Sequence, residues 1–486
     1  MVDLQSTNRV KIGSARESTF GVIPTSPVFK TRRVTAHAMA TSPQTVVSSE
    51  IRSDRQRKDV VLVSYQPGGT VSGEAAFAVM DDDLEEALQG IWAATPNRDN
   101  AGTADSVITN VATSGTVLTV NTGAAFVTGQ LVLFSGFGIA GNNGLFKCTT
   151  GSATVPAFVG SGITDEAAPP GAAKVRVVGF RGASGDLVAV ASGTKITSTS
   201  LDFTTLGLSV GQWVRPNNWG ISPANNDFCR ISAVAAHTLT FDRVPSGWAD
   251  DAGTSTVVDV YFGDVLTNGS TKRSRTWERQ YLDHSPVTYE YLPGEVVDKL
   301  TVNVKAAAIV DYSVDFVGGG LSTDTTTRAS GATDVVAPTN DVLNAASNVG
   351  RIGFDGSAIV GPNYVNAATI AINNNLRRQV AVGSLAPVGI GNGEFAVSLT
   401  LNTYFGDKTI LDKILNNTLT SFDLRIGRTD SNNESYVFDF PSIKLSAGSP
   451  SVSGKNADVM ISATAEAIID STLGYTMACN RFYYLP

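Results

Sequence analysis

Two distant stretches of this chain follow one grammar. GGTVSGEAAFAVMDDDLEEALQGIW fills residues 68–92, and GEFAVSLTLNTYFGDKTILDKILNN fills residues 393–417. In each, small and apolar residues predict a strand, an aspartate follows, and apolar residues then recur at helical spacing. Leu84, Ala87, Leu88 and Ile91 share one helix face in the first copy, and Ile410, Leu411, Ile414 and Leu415 share one in the second. Asp81, Asp82 or Asp83 can cap the first helix and suit its positive end, and Asp407 precedes the second. The flanks match as well. A hairpin pattern precedes each copy: VTAHAMA and TVVSSEIRSDRQRKDVVLVSY in one case, VAVGSLAPVGIGNGEFAVSLTLNTYF in the other. Residues 288–318 and 435–467 then open on alternating aromatics, Tyr289/Tyr291 and Tyr436/Phe438. They pass Pro293 and Pro441 and close on a long alternating strand. A duplicated β-hairpin–helix–β unit is a tight constraint, because both copies must fold alike.

The chain of 486 residues is too long for one ordinary core. Gly, Ser, Thr, Asn, Val and Ala dominate it, which suits short strands and many turns and predicts a mostly β protein. Residues 1–33 read as an irregular arm in which Pro24 and Pro27 block helix. An insertion at 101–268 carries its own repeat. TGQLVLFSGFGIAGNNGLFKC (128–148) parallels VGQWVRPNNWGISPANNDFCRI (210–231), with Asn142-Asn143 matching Asn225-Asn226. Two small β modules built around Asn-Asn turns are expected, at about 101–182 and 183–268. The expected organisation is a first domain of 1–100 plus 269–325, the inserted modules, a turn-rich linker at 326–345 and a second domain at 346–486.

Little in the sequence points to chemistry. The histidines His37, His237 and His284 stand apart from one another and from cysteines or paired carboxylates. Cys148, Cys229 and Cys479 have neither metal nor disulfide-framework spacing and read as buried free thiols. The Asp81–Asp83 run lacks the alternate-residue ligands of a calcium loop. GIGNGE (389–394) lies between strands, with no helix behind it to gather amides on a phosphate. No catalytic, cofactor or metal site is assigned, and an enzyme is not expected. A net charge of −8 argues against a broad phosphate-gripping surface, yet suits a wall that must not hold nucleic acid. No apolar core of a signal peptide and no run of 18 apolar residues occurs, so membrane insertion is not expected and synthesis in a reducing cytosol is. The tip at Glu50–Asp59 mixes signs and reads either as a solvated hairpin end or as a polar clasp on a neighbouring copy. Phe482-Tyr483-Tyr484 is either a final core strand or an anchor on a partner.

The pattern resembles the major tail tube proteins of long-tailed, siphovirus-type bacteriophages, in the variety with two tube domains in one chain. The residues that carry the resemblance are Glu17, Thr19, Phe20, Gly21 and Pro24; Ser49-Glu50-Ile51-Arg52-Ser53-Asp54-Arg55; Gly73-Glu74 leading to the acidic helix and Trp92; and Arg275-Thr276-Trp277-Glu278-Arg279. It covers roughly 1–95 and 270–486. It implies two tandem β-sandwich or barrel domains, each flanked by a short helix and each giving four strands to a shared inner barrel, with the insertion as decoration. It further implies a virion structural protein without cofactors, made in the host cytoplasm. Homotrimers would form pseudo-hexameric rings that stack helically into a conduit for genome ejection during host cell entry. Implied partners are sister copies, a tape-measure protein and tail-terminator or adaptor proteins, with double-stranded DNA passing through unbound. On this resemblance Glu50, Arg52, Asp54 and Arg55 become candidates for the contact between subunits or stacked rings. Val71, Phe77, Val79, Val397 and Leu399 become wall residues, and Leu84, Leu88, Leu411 and Leu415 residues of the covering helices.

Closure arithmetic fits this scheme. Strands about 4.8 Å apart and tilted about 45° give a 24-strand wall roughly 52 Å across and, after about 10 Å for side chains, a bore near 40 Å. That admits a duplex of about 20 Å, whereas twelve strands leave only about 16 Å. Three chains must then each give both halves. Two rival readings remain: a carbohydrate-binding adhesin or fibre using Trp213, Trp219 and Trp248, and a secreted β-rich hydrolase.

Overall fold

The computed structural model describes residues 4–100, 108–119, 123–359 and 361–486. Its organising feature is one strand order used twice. In the first half Ala36–Val47 pairs with Val60–Glu74, then Asp311–Gly318, Thr288–Lys305, Arg275–Tyr281 and Val10–Arg16, each antiparallel to the last. In the second half Val365–Asn373 pairs with Ala396–Tyr404, then Met460–Ala467, Ser435–Ala447, Leu419–Gly427 and Val349–Phe354, in the same order and sense. Two of the irregularities coincide. The ladder slips between Trp277↔Leu292 and Arg275↔Glu295, and likewise between Phe422↔Phe440 and Thr420↔Ile443. A second slip follows at Val297/Lys299 and at Leu445/Ala447. Bulges bend a strand at a fixed point, so a shared pair of bulges gives both halves the same curvature.

The halves are joined edge to edge. Lys299–Lys305 pairs antiparallel with Asn373–Ala367, which makes one continuous wall of eight strands, four from each half. Period-2 alternation puts Val71, Leu300, Val302, Tyr312, Ile370, Leu399 and Ile461 on one face, all buried in a single apolar core common to both halves. Gly69 serves the first hairpin's close packing: its φ is +145°, and a Cβ there would lie 2.2 Å from the Ala38 carbonyl oxygen.

The first helix, α1, is Asp81–Ala87, and the second, α2, is Thr409–Leu415. Each follows the second strand of its half. The strand before α1 stops at Glu74. Phe77 and Val79, expected as wall-strand residues, lie instead in the turn that follows, although both are buried in the core. Ala78 takes φ +64°, a left-handed conformation that no extended run can contain. α1 also lacks the expected side-chain cap: Met80 occupies that position, and the aspartates are used elsewhere. The structure also changes the reading of α2. Ile410 is buried, Leu411 and Ile414 pack partly on the core, and Leu415 is 72% exposed. Successive helical residues are set about 100° apart, so Leu415 turns outward once Ile410 and Ile414 form the inward row. Ile91, beyond the end of α1, is exposed too.

The segment expected as a linker is laid along the first half. Thr333–Val335 runs parallel to Val28–Thr31, Val342 bridges Ala76, and Leu343 is buried.

The inserted region forms its own core and repeats one polar device. Buried Asn142 bonds both backbone groups of one residue in a crossing loop, to Thr164 O and from Thr164 N, and buried Asn225 does the same with Ala249. Their neighbours Asn143 and Asn226 close the turn onto Phe137 and Trp219. Glu166 and Asp251 each accept from two successive backbone amides, Gly138/Ile139 and Ile221/Ser222. Trp213 and Trp219 are buried and Trp248 is half-buried, so they offer no flat platform to a sugar.

Candidate functional site

The wall has a second face, and its composition bears on function. Residues opposite one another across an antiparallel ladder share a face. One row across all eight strands therefore reads Ala36, Ser72, Ser313, Thr301, Ala371, Ser398, Glu466, Lys444. Other rows hold Thr70, Asn303, Thr369, Thr400, Asn402, Ser462 and Thr464. Nearly all are small and neutral. The charged groups in the rows of this face are mixed, Glu74, Asp311, Asp315 and Glu466 against Lys299, Lys305 and Lys444. No arginine occurs among these described face residues, and Tyr404 is their one aromatic ring. Side-chain bonds knit the face: Thr70 Oγ1 donates to Asp315 at 2.6 Å and Asn303 Nδ2 to Asp311 at 2.8 Å. Thr369 Oγ1 donates to Asn303 Oδ1 at 3.1 Å, across the joint between the halves.

Among the described residues both ends of the wall are unpaired strand edges. At one end is Ala36–Val47, and at the other the strand that reaches Ala447 and resumes at Pro450–Ser451. Open edges invite pairing with another chain, and prolines restrain it. Pro43 and Pro450 stand on these two edges.

Past Ser42 the first hairpin leaves the core and continues as a bare arm, from Pro43↔Tyr65 to Val47↔Val60. Val46, Val47, Val60, Val61, Val63 and Ile51 are exposed along it, Ile51 at 98%. A two-stranded hairpin is marginal alone, and clustered exposed apolar groups mark a contact surface. At its tip Arg52 pairs with Asp54 and Lys58 with Glu50, and Arg52 lowers the Asp54 carboxyl below its ordinary range. Arg55 sits in a left-handed turn. The matching loop of the second half folds back instead. Arg377–Gln379 pairs with Gly389–Gly391, Arg378 donates to Pro67 O at 2.5 Å, and Tyr65 N donates to Leu385 O at 2.8 Å.

Of the other residues singled out from sequence, Val71, Phe77, Val79, Leu84, Leu88, Val397 and Leu399 are all buried behind the wall rather than on its polar face. Leu411 lies partly packed beside them, and Leu415 does not join them.

Sequence reasoning missed the ionic hub at α1. Asp81 accepts from Arg481 and from Tyr436 Oη, and Arg481 also reaches buried Asp264. Asp83 accepts from Arg32 and Arg275, Arg275 also bonds Glu86, and Asp82 takes Lys30 and Arg32. Burial pushes the Asp81 and Glu86 carboxyls up, against their arginines. Burial also opposes ionisation of Asp82, but Lys30, Arg32 and Arg275 hold it down at about 2. Five parts of the chain thus meet at one helix turn: the N-terminal strands, the strand at Arg275, the aromatic strand at Tyr436, the exit of the insertion and the C-terminal strand. That last strand, Ala478–Phe482, lies between Ser435–Asp439 and Asp264–Thr267, and Phe482 and Leu485 pack on Trp213 and Tyr261 of the insertion. The aromatic end is therefore a core element. Beside it, buried Arg230 pairs with Asp439 and Asp242, which fastens the insertion to the second half.

Among the described residues no group of three or more His, Cys, Asp or Glu side chains could hold a metal ion, and no helix is long and apolar enough to cross a membrane.

These features define a duplicated, mostly β structural protein. A family model described as phage tail tube protein matches residues 7–212 and 244–467, and the chain belongs to that family. None of the curated proteins matches the chain. It is a structural tail tube protein, a component of the virion tail.

Proposed function

We propose that the chain polymerises into stacked rings, each closed by three copies, which form the conduit for genome delivery. The observation that carries this reading is the eight-strand wall with a small, neutral, nearly arginine-free face and an open edge at each end. Three such walls supply the 24 strands that leave a bore near 40 Å, about twice the width of a duplex. Passing DNA needs the absence of a grip: with no guanidinium forks and a single aromatic ring per copy, phosphates and bases find little to hold them. The core side then carries the helices and the insertion on the outside of the tube. The exposed arm with Glu50, Arg52, Asp54 and Arg55 reaches the neighbouring subunit or ring, where its valines become covered and its mixed charges set register. A tape-measure protein fills the bore before DNA does, and terminator or adaptor proteins cap the ends. Assembly takes place in the host cytoplasm.

Electron microscopy of the purified protein, with mass measurement of the smallest closed particle, tests this. Hollow tubes or three-lobed rings of three chains are expected. A population of monomers, or of elongated trimers without a bore, would overturn it.

A further inference from the structure

The duplication also specifies how one copy meets the next. Because both halves slip register at matching points, each residue of one ladder has a counterpart in the other. Glu295 answers to Ile443, Lys299 to Ala447, Val302 to Pro450 and Asn303 to Ser451. Carrying the match across the wall, Tyr312 answers to Ile461, Gly73 to Thr403, Ala36 to Ala367 and Ser42 to Asn373.

Within the chain, 299–305 pairs with 373–367. The counterparts of these two segments are 447–453 and 36–42, and both have that side free. Burial records the missing neighbour. Along Ala367–Asn373 residues alternate between half-buried and buried, whereas along Ala36–Ser42 most are a step more exposed. Val304 is 5% exposed, while its counterpart Val452 is 81% exposed, an apolar side chain lacking the strand that covers its twin.

We infer that Ala36–Ser42 of one copy pairs antiparallel with 447–453 of the next, with Ala36 opposite Ser453, Ala38 opposite Ser451, Met39 opposite Pro450 and Ser42 opposite Ala447. The partner is a second copy of this chain, and the inference rests on the ring-forming reading above. The contact is heterologous, and repeating the internal joint's geometry turns each copy onto the next by the same rotation, which is the condition for a closed ring. Pro450 in one edge, and Pro43 just past the paired segment of the other, limit what else can pair there.

The test uses paired cysteines in the full chain. Ala38 and Ser451 lie at opposite ends of the wall, about seven strand spacings or ~34 Å apart, so a disulfide between them can only join two molecules. The native thiols are buried and give no background. The double variant Ala38→Cys/Ser451→Cys, oxidised after tubes have formed, is expected to convert most monomer into covalent multimers on a denaturing gel. Asn303→Cys/Thr369→Cys, the internal counterpart pair, calibrates the geometry by closing within one chain. Ala38→Cys/Ser449→Cys, displaced by two residues or about 7 Å, is expected to stay monomeric. The register is overturned if tubes are seen and the internal pair closes while Ala38→Cys/Ser451→Cys stays monomeric, or if the displaced pair links instead. Failure of the ring reading is told apart by microscopy, because it leaves no tubes to oxidise.

Discussion

The two helices occupy equivalent places in equivalent halves, yet they live in different surroundings. α1 is buried, and its acidic first turn gathers Lys30, Arg32, Arg275 and Arg481. α2 buries Ile410, pairs Lys413 with Asp355 and turns Leu415 to solvent. The hairpins differ in the same way: one projects as a bare arm, and the loop of the other folds back on its twin. The strand order, by contrast, is shared, and so are two of the bulges. Duplication thus held the strand order fixed and left the helices and hairpin loops free to diverge. In the first half α1 became a point of attachment for the C-terminal strand through Arg481.

Substitutions at matched places probe this contrast, the largest effect first. Leu84→Asp puts a charge into the common core and is expected to cost more than about 4 kcal/mol and abolish tubes. Leu415→Asp, on the other helix, is expected to change stability by less than about 0.5 kcal/mol. Urea denaturation and microscopy read both, and equal effects would erase the asymmetry between the helices.

Arg275→Met leaves Asp83 and Glu86 buried without their shared cation. A loss of about 3–5 kcal/mol is expected by the same denaturation assay. A neutral outcome would show that the hub contributes no stability.

Glu295 tests the halves at one matched pair. Its counterpart is the apolar Ile443, yet Glu295 is fully buried, with neither carboxyl oxygen hydrogen-bonded. Burial, opposed by Arg378, pushes its pKa up from 4.5 to about 8. The folded state therefore binds the extra proton between those values. This group's contribution is fully present below pH 4.5 and is lost as pH rises through 8. Glu295→Ile is expected to remove that slope and to stabilise the chain by about 2–4 kcal/mol at pH 9 relative to pH 4. An unchanged slope in stability measured from pH 4 to 9 would show that another group causes it.

The smallest effect on folding is expected at the arm's tip. Arg52→Glu with Arg55→Glu should leave the denaturation midpoint essentially unchanged, since exposed ion pairs contribute little. Tube length by microscopy should nevertheless fall. Normal tubes would remove the tip from the assembly contact.

How much of this was legible in the sequence depended on range. The repeated unit and the Asn-Asn modules could be read because period, turn residues and apolar faces are local. The use of Asp81–Asp83 could not. A cap and an ion-pair hub begin with the same residues, and the choice was made by Arg275 and Arg481, which only the fold brings near. The end of the wall strand at Glu74 and the outward turn of Leu415 were likewise set by what packs around them. Glu295 gave no sign of its burial, since a lone acid in an alternating strand reads as solvent-facing.

The C-terminal strand has a consequence for synthesis. Arg481 and Phe482 follow the strands of both halves in the chain, yet they complete the sheet beside the insertion and supply the cation at α1. A prematurely terminated product therefore cannot finish its anchor, however well its earlier strands have folded. Such a product leaves Asp81 and Asp264 without the guanidinium they share.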